Sequence, residues 1–152
     1  MDKTEMYVKM ADCEEIQGQW KPKPGDYISH TMTNPITKDV VNEIEQICMC
    51  GEFGKEVEKY EWGEKVTWIE YEGHDYIAKY KNPIWLPRQD QIQEMMPGCN
   101  CHVCMVTGLF HFMENNLEGM FDAGIGGQME KLWLAFYMHK RHKKRWDGEK
   151  WV

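Results

Sequence analysis

The stretch Ile84-Trp85-Leu86-Pro87-Arg88-Gln89-Asp90-Gln91-Ile92-Gln93-Glu94-Met95-Met96 decides how this chain is read. Ile84-Trp85-Leu86 is a continuous apolar run, short enough for a buried strand. Pro87 removes a backbone donor and fixes φ, so the strand should stop there. From Arg88 the spacing changes: Ile92, Met95 and Met96 recur at helical intervals, with Arg88, Gln89, Asp90, Gln91 and Glu94 left for the other side. A strand that stops at a proline and becomes a helix joins a sheet to a helical layer. The chain on the N-terminal side of this stretch reads mostly as sheet, and the chain on its C-terminal side reads as helix.

Moving toward the N-terminus, Val66–Lys81 reads as a hairpin with Gly73-His74 at its turn, glycine supplying a positive φ. That register sets Tyr71 against Tyr76, Ile69 against Ala78 and Thr67 against Tyr80 on one face. The other face carries Trp68, Glu70, Ile77 and Lys79. A one-residue slip would move Lys79 among the aromatics. Glu52–Glu64 is acidic and punctuated by Gly51, Gly54 and Gly63, and reads as a solvated loop without the ordered oxygen ligands of a calcium site. Ile36–Cys50 is ambiguous. Val40, Val41, Ile44, Ile47 and Cys48 fit a helix face begun by Asn34-Pro35, while its β-branched residues also suit a strand; the periodicity predicts helix. Tyr27–Met32 suits a short strand. Thr4–Trp20 reads as one amphipathic helix through Met6, Met10, Cys13, Ile16 and Trp20, ended by Pro22 and Pro24.

Toward the C-terminus, Val106, Leu109, Phe110, Met113 and Leu117 mark a helix, with Glu118–Gly127 a glycine-rich connection. Gln128–Lys143 carries the strongest helical signal, with Met129, Leu132, Trp133, Phe136 and Tyr137 on a face widened by Leu134 and Ala135. Asp147-Gly148 predicts a tight turn closing a small terminal hairpin. The spacing therefore predicts one α+β domain over 1–152, a small antiparallel sheet packed against an N-terminal helix and a C-terminal helical pair.

The totals bound the function. The chain has 152 residues, enough for one well-filled core. Its formal net charge of −7 argues against a general binder of nucleic acid or anionic membrane. No apolar run approaches the length of a membrane span, and Met1–Glu5 opens no signal-type stretch. A cytoplasmic setting is expected. The six cysteines are then read as thiols or metal ligands in preference to disulfides.

Two places offer chemistry. Cys48 and Cys50, with Cys101 and Cys104, supply four thiolates for a tetrahedral zinc, with Cys99 or His102 as a substitute ligand. The competing reading packs Cys48 as a small hydrophobe and leaves the others as loop thiols. Arg88, Asp90 and Glu94 form a polar cluster past a strand's carboxyl end, a position that can line a binding crevice. Against that, Asp90 offsets the dipole of a helix start and Arg88 pairs with it. Gly124–Gly127 precedes a helix but lacks the preceding strand and the Gly-Lys-Ser/Thr of a phosphate loop. Ser29 sits in no nucleophile elbow. His139–Arg145 holds five Lys/Arg and two His, the only basic block, and the other 145 residues sum to −12. It offers phosphate contacts or a solvated helix end.

Several segments resemble a family of small uncharacterised proteins encoded by phages and prophages of Gram-positive bacteria. These are Tyr7-Val8-Lys9-Met10, Glu14-Glu15-Ile16-Gln17, Trp20-Lys21-Pro22-Lys23-Pro24-Gly25-Asp26-Tyr27, Ile84-Trp85-Leu86-Pro87-Arg88-Gln89-Asp90-Gln91, Met129-Glu130-Lys131-Leu132-Trp133-Leu134-Ala135-Phe136, and Trp146–Val152. The middle, about Thr31–Asp75, and the cysteine-rich loop carry no part of the likeness. The resemblance implies a phage-derived accessory protein in the host cytoplasm and supplies no reaction. The functional expectation is a protein that acts by binding a protein partner or a second copy. The alternatives are a zinc-stabilised module or a nucleic-acid-associated factor using the basic end of the last helix. An enzyme is the least favoured class, because no nucleophile–base pair stands out.

Overall fold

A computed structural model describes residues 1–33, 40–47, 52–61, 64–72, 77–98 and 101–152. The chain is α+β and divides into two compact units, one built from Ile16–Leu86 and one from Met1–Glu15 with Pro87–Val152.

The first unit is an antiparallel sheet of five strands: β1 (Tyr27–Thr33), β2 (Val40–Gln46), β3 (Glu52–Glu61), β4 (Glu64–Glu72) and β5 (Ile77–Leu86), in the order β2-β1-β5-β4-β3. Two expectations are corrected here. Val40–Gln46, read as helix, is an edge strand paired with β1 along its whole length, from Tyr27 opposite Gln46 to Thr33 opposite Val40. Among the described side chains, Val40 is exposed and Ile44 half-buried, while Ile47 just beyond the strand is buried. Glu52–Glu61, read as a solvated loop, is the other edge strand, paired with β4. A charge-rich sequence is what an edge exposed to water carries, since it discourages pairing with another chain.

The β4–β5 hairpin forms, but two residues out from the expected register: Tyr71 lies opposite Ala78 and Ile69 opposite Tyr80. The last pair is Glu72 opposite Ile77, and the expected turn at Gly73-His74 lies outside the described residues. A shift of two keeps every residue on its expected face, because side chains alternate with period two. The hydrophobic pattern fixed the faces and is blind to a shift of two.

A bulge then re-aims the end of β5. Ser29 faces Ile84 and Thr31 faces Lys81, so His30 stands opposite both Asn82 and Pro83. Asn82 takes φ 47°, and its Oδ1 accepts from the Thr67 N–H at 3.0 Å. Asn is among the few side chains that tolerate that region. The extra residue changes the parity of β5, bringing Trp85 onto the face of Tyr80 and opposite Ile28. There Ile28, Ile47 and Tyr80 form a buried cluster with Trp20 packed on it, and Trp20 stacks on Trp85 at 6.5 Å and 6°. Past the bulge, the side of Trp85 away from β1 is covered by the Gln17 carboxamide. It accepts from the Trp85 N–H at 2.9 Å and donates to the Trp85 carbonyl at 3.1 Å, replacing a strand partner.

The second unit is helical: α1 (Glu5–Ala11), α3 (Gln89–Met95), α4 (His102–Asp122) and α5 (Met129–His142), with the short α2 (Glu14–Gln17) running across the division between the units. α5 is its centre. Lys131–Met138 are all buried, and α1, α3 and α4 pack around it, as expected of a helix apolar on every side. The single helix predicted over Thr4–Trp20 is broken. Thr4 Oγ1 caps α1 by accepting from the Tyr7 N–H. Asp12, at φ −77° and ψ 68°, then makes an inverse γ-turn closed by Cys13 N–H to the Ala11 carbonyl at 2.8 Å. The Met10 carbonyl at this break accepts the Trp151 indole N–H at 2.8 Å. Trp151 is held by the terminal hairpin that Asp147-Gly148 predicted, bridged from Trp146 to Trp151.

The Pro87 junction is as read. β5 ends at Leu86, Trp85 and Leu86 are buried, and α3 starts after Arg88. The Arg88 N–H donates to Gln91 Oε1 at 2.9 Å, and the buried Tyr7 hydroxyl donates to the Pro87 carbonyl. α4 differs in extent and in rotation. It runs through the predicted glycine-rich connection as far as Asp122. It buries Leu109, Phe112 and Met120, while Val106 and Phe110, expected in the core, are exposed.

Candidate functional site

Cys101 is the N-cap of α4 and Cys104 lies in its first turn, both exposed, as is His102. Cys48, Cys50 and Cys99 lie outside the described residues. Among the described residues no three His, Cys, Asp or Glu side chains converge as a metal site would require. Arg88 and Asp90 engage each other, Nε to Oδ1 at 3.2 Å and Nη2 to Oδ2 at 3.3 Å, at the N-terminus of α3. Glu94 is exposed one turn further on. This is the pairing expected of a helix start.

At the N-terminus of α5, beyond Gly124–Gly127, the buried Asp2 carboxylate lies 3.6 Å from the buried Lys131 ammonium. It also accepts from the Thr4 N–H at 2.8 Å. The chain's own carboxylate thus sits where a helix start would hold an anion.

A cleft in the helical unit lies between the second half of α4 and the end of α5. Its volume is about 500 Å³, and it is lined by Phe112, Glu114, Asn115, Asn116, Glu118, Gly119, Met120, Ile125, Ala135, His139, Lys144, Arg145 and Trp146. Phe112 forms the floor, in ring contact with Phe136 at 5.4 Å and His139 at 5.2 Å. Lys143 ends α5 with φ 59°, turning the chain so that Lys144, Arg145 and Trp146 come back over the helix end. The terminal strand pair fixes Arg145, whose N–H donates to the Val152 carbonyl at 2.7 Å and whose carbonyl accepts at 2.8 Å.

The polar groups divide into two walls. Glu114 and Glu118 come from α4, and His139, Lys144 and Arg145 from the end of α5 and beyond. Lys144 is partly committed: its ammonium holds Glu15, which keeps the Glu15 carboxyl below its ordinary range and raises the Lys144 pKa. The Arg145 guanidinium has no hydrogen bond or ion pair among the described residues. Trp146 is buried, and its indole N–H has no acceptor among the described residues. A buried unsatisfied donor is uncommon and costs free energy. Asn115 and Asn116 each donate to a carbonyl one turn back, at 2.7 Å, so their oxygens are left to accept.

The sequence did not show this cleft. Its walls come from separate segments, and one of them runs from the predicted helix on into the stretch read as a connection. The basic block was visible, but the left-handed turn at Lys143 that folds it back was not, because glycine usually holds that place.

In class, then, this is an α+β chain with an antiparallel sheet and a helical unit that carries a two-signed cleft. No helix among the described residues is long and apolar enough to cross a membrane. No family model, curated protein or solved structure matches the chain.

Proposed function

We propose that this chain is a binding protein of phage or prophage origin, and that it docks an acidic segment of a protein partner in the α4–α5 cleft. The observation that carries the reading is the Arg145 guanidinium, which has no hydrogen bond or ion pair among the described residues, on a cleft with an aromatic floor. A carboxylate from the partner would engage it, and charge-assisted bonds to arginine are the stronger kind. Glu114 and Glu118 on the opposite wall disfavour a uniformly anionic ligand, so the lining selects a mixed-charge segment over a polyanion. The phage origin rests on the likeness carried by the Ile84–Gln91 and Met129–Phe136 segments, and phage genes on both sides of this one would support it.

A second reading has the exposed basic residues His139, Lys140, Arg141, Lys143 and Arg145 contact nucleic-acid phosphates. Fluorescence anisotropy with a labelled glutamate-rich peptide, a single-stranded oligonucleotide and a duplex separates the two. The expected result is peptide binding that Arg145→Glu abolishes and Arg141→Glu, outside the cleft, leaves intact. Tight oligonucleotide binding with a steep salt dependence, lost equally in both variants, would move the function to the basic helix end. No binding of any probe would overturn both readings.

A further inference from the structure

Cys101 and Cys104 stand at the start of α4, and both are exposed. Cys101 is the N-cap, so His102 and Val103 are the first two helical residues and Cys104 is the third. This placement turns one thiol toward the other. Two residues three apart inside a helix hold their Cβ atoms ~5–6 Å apart, whereas a disulfide takes ~3.5–4.5 Å. Cys101 escapes the helical spacing because its backbone is extended, at φ −73° and ψ 120°. A side chain at the N-cap folds back over the second and third helical residues, and the third here is Cys104.

The same placement selects the reactive form of the thiol. The thiolate is the nucleophile in disulfide chemistry, and a helix start favours it. The first N–H groups of a helix have no partner within it and point toward the N-cap, and α4, with 21 residues, is long enough to carry a full dipole. No acid opposes that field: the first turn holds none, and the chain from His102 to Met113 contains no Asp or Glu. His102, between the two cysteines, is exposed and adds positive charge when protonated. Val103 beside it is 72% exposed, so the cysteines open onto solvent over an uncharged shoulder. An external disulfide can reach them there.

We infer that Cys101 and Cys104 form a thiol–disulfide exchange site whose substrate is an accessible disulfide. The Cys101 thiolate attacks one sulfur of the substrate. The substrate S–S bond breaks, a mixed disulfide forms, and the leaving sulfur takes a proton from water. Cys104 then gives its proton to water and attacks the Cys101 sulfur. The mixed bond breaks, and the second substrate sulfur leaves as a thiol. The substrate gains two electrons and two protons, and the two cysteines lose them in becoming one internal disulfide. Excess monothiol runs the steps in reverse and restores the dithiol. The site is separate from the α4–α5 cleft, which neither cysteine lines.

The test incubates the reduced full chain with oxidised glutathione, alkylates the remaining thiols and measures intact and peptide masses. The expected product carries a Cys101–Cys104 disulfide and no retained glutathione. Cys104→Ser should stall with glutathione on Cys101, and Cys101→Ser should react several-fold more slowly. Serine is a preferred N-cap and Cys104 is exposed, so both variants should keep the circular dichroism spectrum. Insulin in excess reduced glutathione is the second arm. Reduction accelerated by the wild type and not by Cys101→Ser would place the substrate disulfide in polypeptides, and exchange with oxidised glutathione alone would place it among small molecules. Glutathione retained on the wild-type cysteines without ring closure, or a Cys101→Ser chain that reacts as fast as the wild type, would overturn the site. So would one zinc or copper ion per chain that is lost in Cys101→Ser, since those thiols would then be metal ligands.

Discussion

Replacing Tyr7 with phenylalanine removes a single oxygen at the point where the sheet's last strand becomes a helix. Tyr7 is fully buried, and its hydroxyl donates to the carbonyl of the buried Pro87. The phenyl ring keeps the packed volume, so little cavity cost arises. What is lost is the donor to a carbonyl that water cannot reach, which costs about 1–3 kcal/mol. In a chain of this size each kcal/mol moves Tm by roughly 2–4 °C. Thermal and urea denaturation at neutral pH should therefore show Tyr7→Phe clearly destabilised, with an unchanged urea slope. A second signature lies in alkali. Burial, followed by the nearby carboxylates Glu130 and Asp2, pushes the Tyr7 hydroxyl well above its ordinary value of 10.0. Above that pH the unfolded tyrosine loses its proton while the folded one keeps it. The native state then binds more protons, and stability falls as pH rises. Phenylalanine has no proton to lose, so the gap between wild type and variant should narrow above about pH 10. A variant as stable as wild type at neutral pH, or a gap that widens in alkali, would refute the buried bond.

Three other outcomes are expected. Asn82→Val should destabilise by about 1–2 kcal/mol in urea denaturation, because a β-branched residue must adopt the left-handed φ of the bulge, whereas Asn82→Gly should cost less. Lys131→Ala should destabilise by more than about 1 kcal/mol by leaving the buried Asp2 carboxylate without its ammonium; adding Asp2→Asn should recover part of the loss, and strict additivity of the two changes would count against the pair. Lys144 holds the Glu15 carboxyl below its ordinary value of 4.5, so its contribution is present above that pH and fades as pH falls through the lowered folded value; Glu15→Gln should flatten the acid limb of the stability curve, measured by thermal melts from neutral pH downward.

The sequence alone determined features that depend on local stereochemistry and on strong period. Pro87 ends β5 because it has no N–H to give a ladder, and Ile92, Met95 and Met96 start a helix because their spacing allows nothing else. α5 was legible for the same reason, and Asp147-Gly148 set the terminal turn. The alternation along Val66–Lys81 fixed which residues share a face, but it is blind to the shift of two that the observed pairing shows. Tertiary structure decided the rest wherever a partner distant in the chain supplies the missing half. Val40–Gln46 is a strand because β1 pairs with it, and Glu52–Glu61 because β4 does. Trp85 faces Trp20 because a bulge opposite His30 changes its parity. The cleft exists because α4 outruns its glycines and Lys143 folds the basic end of α5 back over Phe112. Local preferences amount to tenths of a kcal/mol per residue, and the burial or pairing of a whole segment outweighs them.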